Sequence, residues 1–200
     1  MAFYFFDCKA SDCWAYVYSV SVKRTNLECC DSMKREFIPP LDYVLEGKRL
    51  GDTAYITGYF AVSRRVKDIF ENNNISGCEF IPMNCTEWRE RNGKSKDKTG
   101  VEYYFMKVKS TCGLALDIHG NECPHCDVCK SLDYIPPDFE GFAFDESKWD
   151  GSDIFVFENK DNIPIITEKL KKILAKEKLT NVEFVKISSV NKNDDSTKNN

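Results

Sequence analysis

The chain has 200 residues and a formal net charge of −4, with 42% hydrophobic and 30% charged residues. These fractions are ordinary for a folded globular protein, and the length is enough for one domain with a substantial core. The acidic balance gives no support for binding to nucleic acid, which favours a basic protein surface. We therefore expect one globular domain at residues 1–190 and a polar, disordered tail at residues 191–200.

The amino terminus argues against export and against a membrane anchor. Residues 1–20 contain neither a basic segment nor an uninterrupted apolar segment, so they do not resemble a secretory signal. No stretch of the chain approaches the roughly 20 apolar residues that a membrane helix needs. The sequence predicts a cytoplasmic protein that has no membrane partner.

The first 50 residues predict mainly extended structure. Apolar and aromatic residues dominate the first 22 positions, which indicates one or two strands. The segment that follows, at 29–50, contains the adjacent Cys29 and Cys30. There we expect irregular structure, with a short helix near Met33–Phe37 that ends before Pro39 and Pro40.

An internal similarity follows. Residues 62–83 align without gaps with residues 166–187, and most positions either match or exchange residues of the same type. Four pairs are identical: Lys67 and Lys171, Ile69 and Ile173, Glu79 and Glu183, and Phe80 and Phe184. This agreement predicts two copies of one structural unit.

The pattern within each copy indicates a helix followed by a strand. Ser63 and Thr167 are suited to cap a helix, because a hydroxyl oxygen can accept a hydrogen bond from an amide of the first turn. Apolar residues then recur with helical spacing, and Gly77 and Asn181 tolerate the left-handed conformation and turn the chain before the strand. With a strand before each helix, we predict two β–α–β units at about 54–83 and 153–187. The expected fold class is α/β or α+β, with a mixed sheet.

The segment between the two copies predicts a strand pair and a packed aromatic loop. The strands are expected at Tyr103–Lys109 and Leu114–Ile118. Before the second copy come aromatic residues that we expect to pack in the core: Phe139, Phe142, Phe144 and Trp149.

Three of the ten cysteines cluster in one loop, at Cys123, Cys126 and Cys129. A Cys-x-x-Cys pair allows two thiolates to approach one tetrahedral zinc ion without strain. These three cysteines are therefore the candidate metal ligands. Further ligands could come from His119 or from the distant Cys8 and Cys13, which four residues separate.

Other interpretations of this loop stay open. Cys123-Pro-His-Cys126 has the form of a thiol-redox motif, although such chemistry needs a following helix and Pro136 and Pro137 make a long one improbable. An iron–sulfur cluster would lack its usual fourth cysteine, and the loop could also bind nothing. No phosphate-binding loop, nucleophile elbow or zinc-protease motif occurs elsewhere. We therefore assign no catalytic residues and expect a protein that is not an enzyme.

The duplicated unit resembles a family of bacterial immunity proteins from polymorphic toxin systems. The resemblance covers about residues 50–190. The segments that resemble the family are the strand at 153–157, the capped helix after it, and the Thr-Asn-Val-Glu-Phe strand at 180–184. The chain is also similar to the double Cys-x-x-Cys-Gly paralogues of predatory soil bacteria, which share the opening Phe3-Tyr4. It departs from them at Asp127, which stands where they have glycine.

The resemblance implies that the protein neutralises a cognate bacterial toxin by binding it directly, without catalysis. The alternative is a zinc-binding or thiol-redox protein that uses the loop of Cys123, Cys126 and Cys129. The sequence does not indicate the toxin, the contact residues or the oligomeric state.

Overall fold

The computed structural model describes residues 1–9, 14–56, 58–132, 135 and 137–190. The predicted tail at 191–200 lies outside these residues. The strands are β1 (Phe3–Cys8), β2 (Tyr16–Val20), β3 (Val22–Asn26), β4 (Met33–Phe37), β5 (Leu41–Glu46), β6 (Thr53–Ile56), β7 (Tyr59–Ser63), β8 (Cys78–Arg89), β9 (Tyr103–Val108), β10 (Leu116–Asp117), β11 (Phe142–Asp145), β12 (Ile154–Phe157), β13 (Lys160–Thr167) and β14 (Val182–Val190). The α-helices are α1 (Arg64–Asn72) and α2 (Glu168–Lys176), and a 3₁₀ turn spans Glu146–Lys148.

The strands form two six-stranded sheets and a separate hairpin. The first sheet has the order β12-β13-β1-β14-β11-β10, and the second has the order β6-β7-β9-β8-β5-β2. Strands β3 and β4 pair only with each other among the described residues. The fold is mixed α/β and consists mostly of sheet, which agrees with the coarser part of the predicted fold class.

The two sheets have the same pairing pattern. The pairings can be counted from β12 in the first sheet and from β6 in the second. In both sheets the first three pairings are antiparallel, the fourth is parallel and the fifth is antiparallel. Helix α1 connects β7 to β8 and α2 connects β13 to β14, so each helix joins two parallel strands that have an antiparallel strand between them. We call the second sheet with α1 one half of the molecule, and the first sheet with α2 the other. That the halves arose by duplication stays a prediction.

Both helices begin as their sequences predict. The Ser63 hydroxyl accepts a hydrogen bond from the Val66 amide at 3.4 Å, and the Thr167 hydroxyl accepts one from the Leu170 amide at 3.3 Å. The apolar faces of α1 and α2 share one central core with both sheets. Ile69 lies in that core, whereas Ile173 is only half-buried against it.

Two buried carboxylates join the halves in a reciprocal way. Asp52, just before β6, accepts hydrogen bonds from the Thr180 amide at 2.7 Å and the Thr180 hydroxyl at 2.8 Å, in the turn after α2. Asp153, just before β12, accepts bonds from the Ser76 amide at 3.1 Å and hydroxyl at 3.2 Å, in the turn after α1. Each half therefore fixes the helix-to-strand turn of the other.

Some sequence predictions were wrong in detail. Met33–Phe37 is strand β4 and not a helix, because its backbone pairs in register with β3 from Val22↔Phe37 to Asn26↔Met33. The strands β9 and β10 do not pair with each other, since β9 lies between β7 and β8 while β10 pairs with β11. No helix in the described part of the chain is both long and apolar enough to span a membrane.

Candidate functional site

Four cysteines from two distant segments meet at the surface. The sulfur atoms of Cys29, Cys30, Cys126 and Cys129 all lie within 4.8 Å of one another. Cys29 is exposed and the other three are half-buried. We call this group the cysteine cluster. Among the described residues, it is the one group of three or more histidine, cysteine or acidic side chains that is close enough to share a metal ion.

Cys29 and Cys30 lie in the turn of the β3–β4 hairpin. The Leu27 amide donates a hydrogen bond to the Ser32 carbonyl at 3.0 Å and closes this turn. The hairpin belongs to the connection between β2 and β5, which are neighbours in the second sheet. Its strands are mostly exposed, so the pair of cysteines is carried at the end of a projecting ribbon.

Cys126 and Cys129 lie in a tight turn after β10. The Cys126 amide donates to the Ser131 carbonyl at 2.9 Å, and the Lys130 amide donates to the Cys126 carbonyl at 2.9 Å. Lys130 adopts the left-handed conformation with φ of 60°, which reverses the chain directly after the second cysteine. This folding places both sulfurs on the side that faces the hairpin turn.

The cluster favours thiolate at one of its sulfurs. The pKa of Cys129 is lowered to about 6, mainly because the Ser131 hydroxyl donates a hydrogen bond to its thiolate. The pKa of Cys29 is raised to about 12, first of all because its thiol is hydrogen-bonded to Cys129. The Cys30 and Cys129 sulfurs are 3.4 Å apart. Thiolates are the form in which cysteine binds metal, so this arrangement suits a cation that several sulfurs share.

The structure brings together two of the three predicted metal ligands. Cys126 and Cys129 belong to the cysteine cluster, whereas Cys123 does not. Cys123 has 2% of its surface exposed, packs in a core with Phe144 and Phe155, and donates its amide to the Ala115 carbonyl. The intervening Cys123-Pro-His-Cys126 segment therefore points its first cysteine inward and its second outward.

His119 and Cys8, the other suggested ligands among the described residues, do not belong to the cysteine cluster. The His119 ring approaches Glu140 at 3.9 Å, and the Cys8 thiol is half-buried against the central core. Burial raises the pKa of Cys8 to about 12. Cys13 lies outside the described residues.

The environment of Cys123 does not favour thiol-redox chemistry. Burial raises the pKa of its thiol, whereas the attacking cysteine of a redox Cys-x-x-Cys motif needs a lowered pKa. Within the described part of residues 127–145, no α-helix follows the pair to provide the dipole that lowers such a pKa.

Sequence reasoning did not identify Cys29 and Cys30 as candidate ligands. Cys29 lies 97 residues before Cys126, and Cys30 lies 99 residues before Cys129. No local sequence pattern indicates that these segments come together. The available signal was the adjacent pair Cys29 and Cys30 in a polar segment.

A groove of about 290 Å³ runs beside the same hairpin. Its floor is aromatic, since the Phe37 ring lies 4.2 Å from Phe105 and 5.1 Å from Tyr59, centre to centre. Its rim carries charges of both signs: Lys34, Arg35, Glu36, Lys107 and Asp161. Strand β4 thus forms one wall of the groove.

One comparison with known proteins identifies a family. A family model described as "Immunity protein family (Imm11)" matches residues 41–189. The match covers both helices and the ten strands from β5 to β14, and it includes Cys126 and Cys129 but not Cys29 or Cys30. The comparison with curated protein sequences found no significant match.

Proposed function

Because the chain belongs to the Imm11 immunity protein family, we propose that it protects a bacterial cell by binding a cognate protein toxin. The observation that carries this proposal is the family match over residues 41–189, about three quarters of the chain. The resemblance to toxin-immunity proteins was predicted from the duplicated unit, and the family match confirms it. Immunity by binding requires the protein and the toxin to share a compartment, and we place both in the cytoplasm.

We propose that the protein acts by occupancy and not by catalysis. Its scaffold supports this mode, because both helices and both sheets share one apolar core and the two halves exchange buried carboxylate hydrogen bonds. A rigid scaffold presents a preformed surface, which reduces the entropy lost when a partner binds. We also propose that the halves are copies of one ancestral unit, since their helices, caps and strand pairings correspond.

The groove beside the hairpin is our proposed contact surface for the toxin. An aromatic floor with a charged rim is the composition expected at the centre and edge of a protein interface. Half-buried aromatic side chains such as Phe37 and Tyr59 supply large buried area when a partner covers them. Rim charges such as Lys34 and Arg35 can guide the approach of an oppositely charged toxin surface.

Growth rescue tests the function. The toxin domain encoded beside this gene is expressed in a susceptible host, with and without the protein. We expect the protein to restore growth and to co-purify with the toxin domain. If it neither restores growth nor binds any toxin domain encoded by its neighbouring genes, the proposed function is wrong.

A pair of charge reversals tests the surface separately. The double variant Lys34→Glu and Arg35→Glu changes two exposed groove side chains on β4, and the control Lys94→Glu changes an exposed side chain that does not line the groove. We expect the double variant to weaken toxin binding at least tenfold, and the control to leave it unchanged. Full binding by the double variant would contradict the groove as the contact surface but not the immunity function.

A further inference from the structure

We propose that Cys29, Cys30, Cys126 and Cys129 bind one zinc ion through four thiolates, and that this ion clamps the β3–β4 hairpin to the loop after β10. The family match does not imply this site, because Cys29 and Cys30 precede residue 41, where the match begins. The proposal also differs from the ligand set predicted from sequence, since Cys29 and Cys30 replace Cys123.

The sulfur positions fit a tetrahedral ion. Zinc–sulfur bonds of about 2.3 Å place the sulfurs of a tetrahedral site about 3.8 Å apart. The four sulfurs here lie within 4.8 Å of one another, and the Cys30 and Cys129 sulfurs are 3.4 Å apart. The upper limit on these separations exceeds the tetrahedral value by about 1 Å, so a modest adjustment of the side chains would let one ion contact all four sulfurs.

The four sulfur ligands favour particular metals. Four cysteine sulfurs in a tetrahedral arrangement favour zinc or iron, whereas magnesium and calcium prefer oxygen ligands. All four protein positions are filled by sulfur, with no carboxylate or histidine in the group. A site closed by four protein ligands is typical of structural zinc and leaves no open position for a catalytic water. The expected role is therefore structural.

A bound ion would stabilise the β3–β4 hairpin. An isolated two-stranded ribbon is at best marginally stable in water, and β3 and β4 are mostly exposed. Phe37 anchors the base of the hairpin by packing on Phe105. The opposite end meets the rest of the protein at the cysteine cluster, where the Cys126 thiol is 3.7 Å from the Cys29 carbonyl.

The two cysteine pairs occupy corresponding places in the two halves. The hairpin connects β2 to β5 in the second sheet, and the loop of Cys126 lies between β10 and β11 in the first. Strands β2 and β10 are the corresponding edge strands of the two sheets. One ion would thus join Cys29 to Cys126, 97 residues away, and Cys30 to Cys129, 99 residues away. A crosslink that closes so long a loop removes much of the conformational freedom of the unfolded chain.

The clamp also bears on the groove, because β4 is one of its walls. An ion that holds the hairpin turn in place would also hold β4 in a fixed orientation beside the groove. This consequence rests on the proposed toxin-binding function, whereas the metal site itself does not.

Metal content of the intact protein is the first test. The protein is expressed in zinc-supplemented medium, purified under reducing conditions, and analysed by inductively coupled plasma mass spectrometry. We expect about one zinc ion per chain. Replacement by Co²⁺ should give the absorption of a tetrahedral cobalt–thiolate site. Protein that carries no zinc and binds no added zinc, or that carries iron in its place, would overturn the proposal.

Variants identify the ligands. Cys30→Ser and Cys126→Ser should each lower zinc content and affinity at least tenfold. Cys78→Ser, outside the cluster, and Cys123→Ala, which removes a predicted ligand, should both retain about one ion. A folded Cys126→Ser protein that still binds zinc as tightly as wild type, or a folded Cys123→Ala protein that has lost it, would contradict the assignment.

Alkylation of the wild-type protein gives the same information if a variant fails to fold. Each cysteine is quantified by mass spectrometry after treatment with iodoacetamide, with and without a zinc chelator. We expect Cys29, Cys30, Cys126 and Cys129 to react faster after chelation, while Cys78 is unchanged. The chelator should also lower the melting temperature, by about 5–10 °C for an ion present at about 100 times its dissociation constant. Equal reactivity of the four cysteines under both conditions would overturn the site.

Discussion

Two of the contacts between the halves of the molecule differ in the groups that form them. At the interior junction, Asp52 and Asp153 are buried and each accepts several hydrogen bonds from the opposite half. At the surface, the cysteine cluster brings four sulfurs together with few hydrogen-bond donors among them. The first junction is held by hydrogen bonds between the protein's own groups, whereas we propose that the second is strengthened by a bound zinc ion. We therefore expect substitutions at the two junctions to behave differently.

The largest effect is expected at the interior junction. Asp52→Ala leaves the amide and hydroxyl of Thr180 without their buried acceptor, and removes one of the two carboxylates that pair with Arg65. Each donor that loses its buried acceptor costs about 1–3 kcal/mol, so the two together cost roughly 4 kcal/mol. We predict a fall of this size in the free energy of unfolding, measured in urea. Asp97→Ala, at an exposed turn, serves as the control.

The comparison between the junctions sharpens this test. The loss in Asp52→Ala should be the same with and without a zinc chelator, because no metal ligand is involved. A loss below about 1 kcal/mol would show that the interior junction does not hold the halves together.

The next largest effect is expected at Gly77, in the turn that Asp153 fixes. Gly77 has a φ of +103°, and an added Cβ would lie 1.9 Å from the Ile154 carbonyl oxygen. Gly77→Ala must therefore displace β12, and we predict a loss of about 3 kcal/mol. Gly93→Ala is the matched control, since φ is +83° there and nothing lies within 4 Å of an added Cβ. Equal losses in the two variants would mean that the halves are not in close contact at Gly77.

The smallest effect is expected at the helix caps, where the halves can be compared directly. Ser63→Ala and Thr167→Ala each remove the hydroxyl that accepts a hydrogen bond from the first helical turn. Each should lower the free energy of unfolding by about 1 kcal/mol. If the halves are equivalent in structure, the two losses should agree closely. A cost confined to one cap would contradict that equivalence.

Local sequence signals were sufficient for the helices. A hydroxyl cap, an apolar stripe and a residue that tolerates positive φ are all encoded within about fifteen residues of chain. The structure places both caps as predicted, and it gives left-handed conformations at Gly77 and Asn181. The strand partners could not be predicted in this way, because β1 comes from the amino terminus to lie between β13 and β14.

The hairpin and the cysteine cluster depended on long-range contacts. Met33–Phe37 carries three charged residues between apolar ends, a pattern that fits an exposed strand or a short helix, and pairing with β3 decides between them. Cys123 shared its loop with two cluster members, so spacing alone could not exclude it as a ligand. Its burial against Phe144 and Phe155 is a tertiary feature.

Calorimetric titration with the purified toxin domain encoded beside this gene tests the central proposal most directly. We predict saturable binding of one toxin domain per chain with a dissociation constant in the nanomolar range or below, and loss of the toxin's activity at equimolar ratio. Such tight binding corresponds to about 12 kcal/mol of binding free energy. The absence of heat of binding together with an unchanged toxin activity would contradict immunity by direct binding.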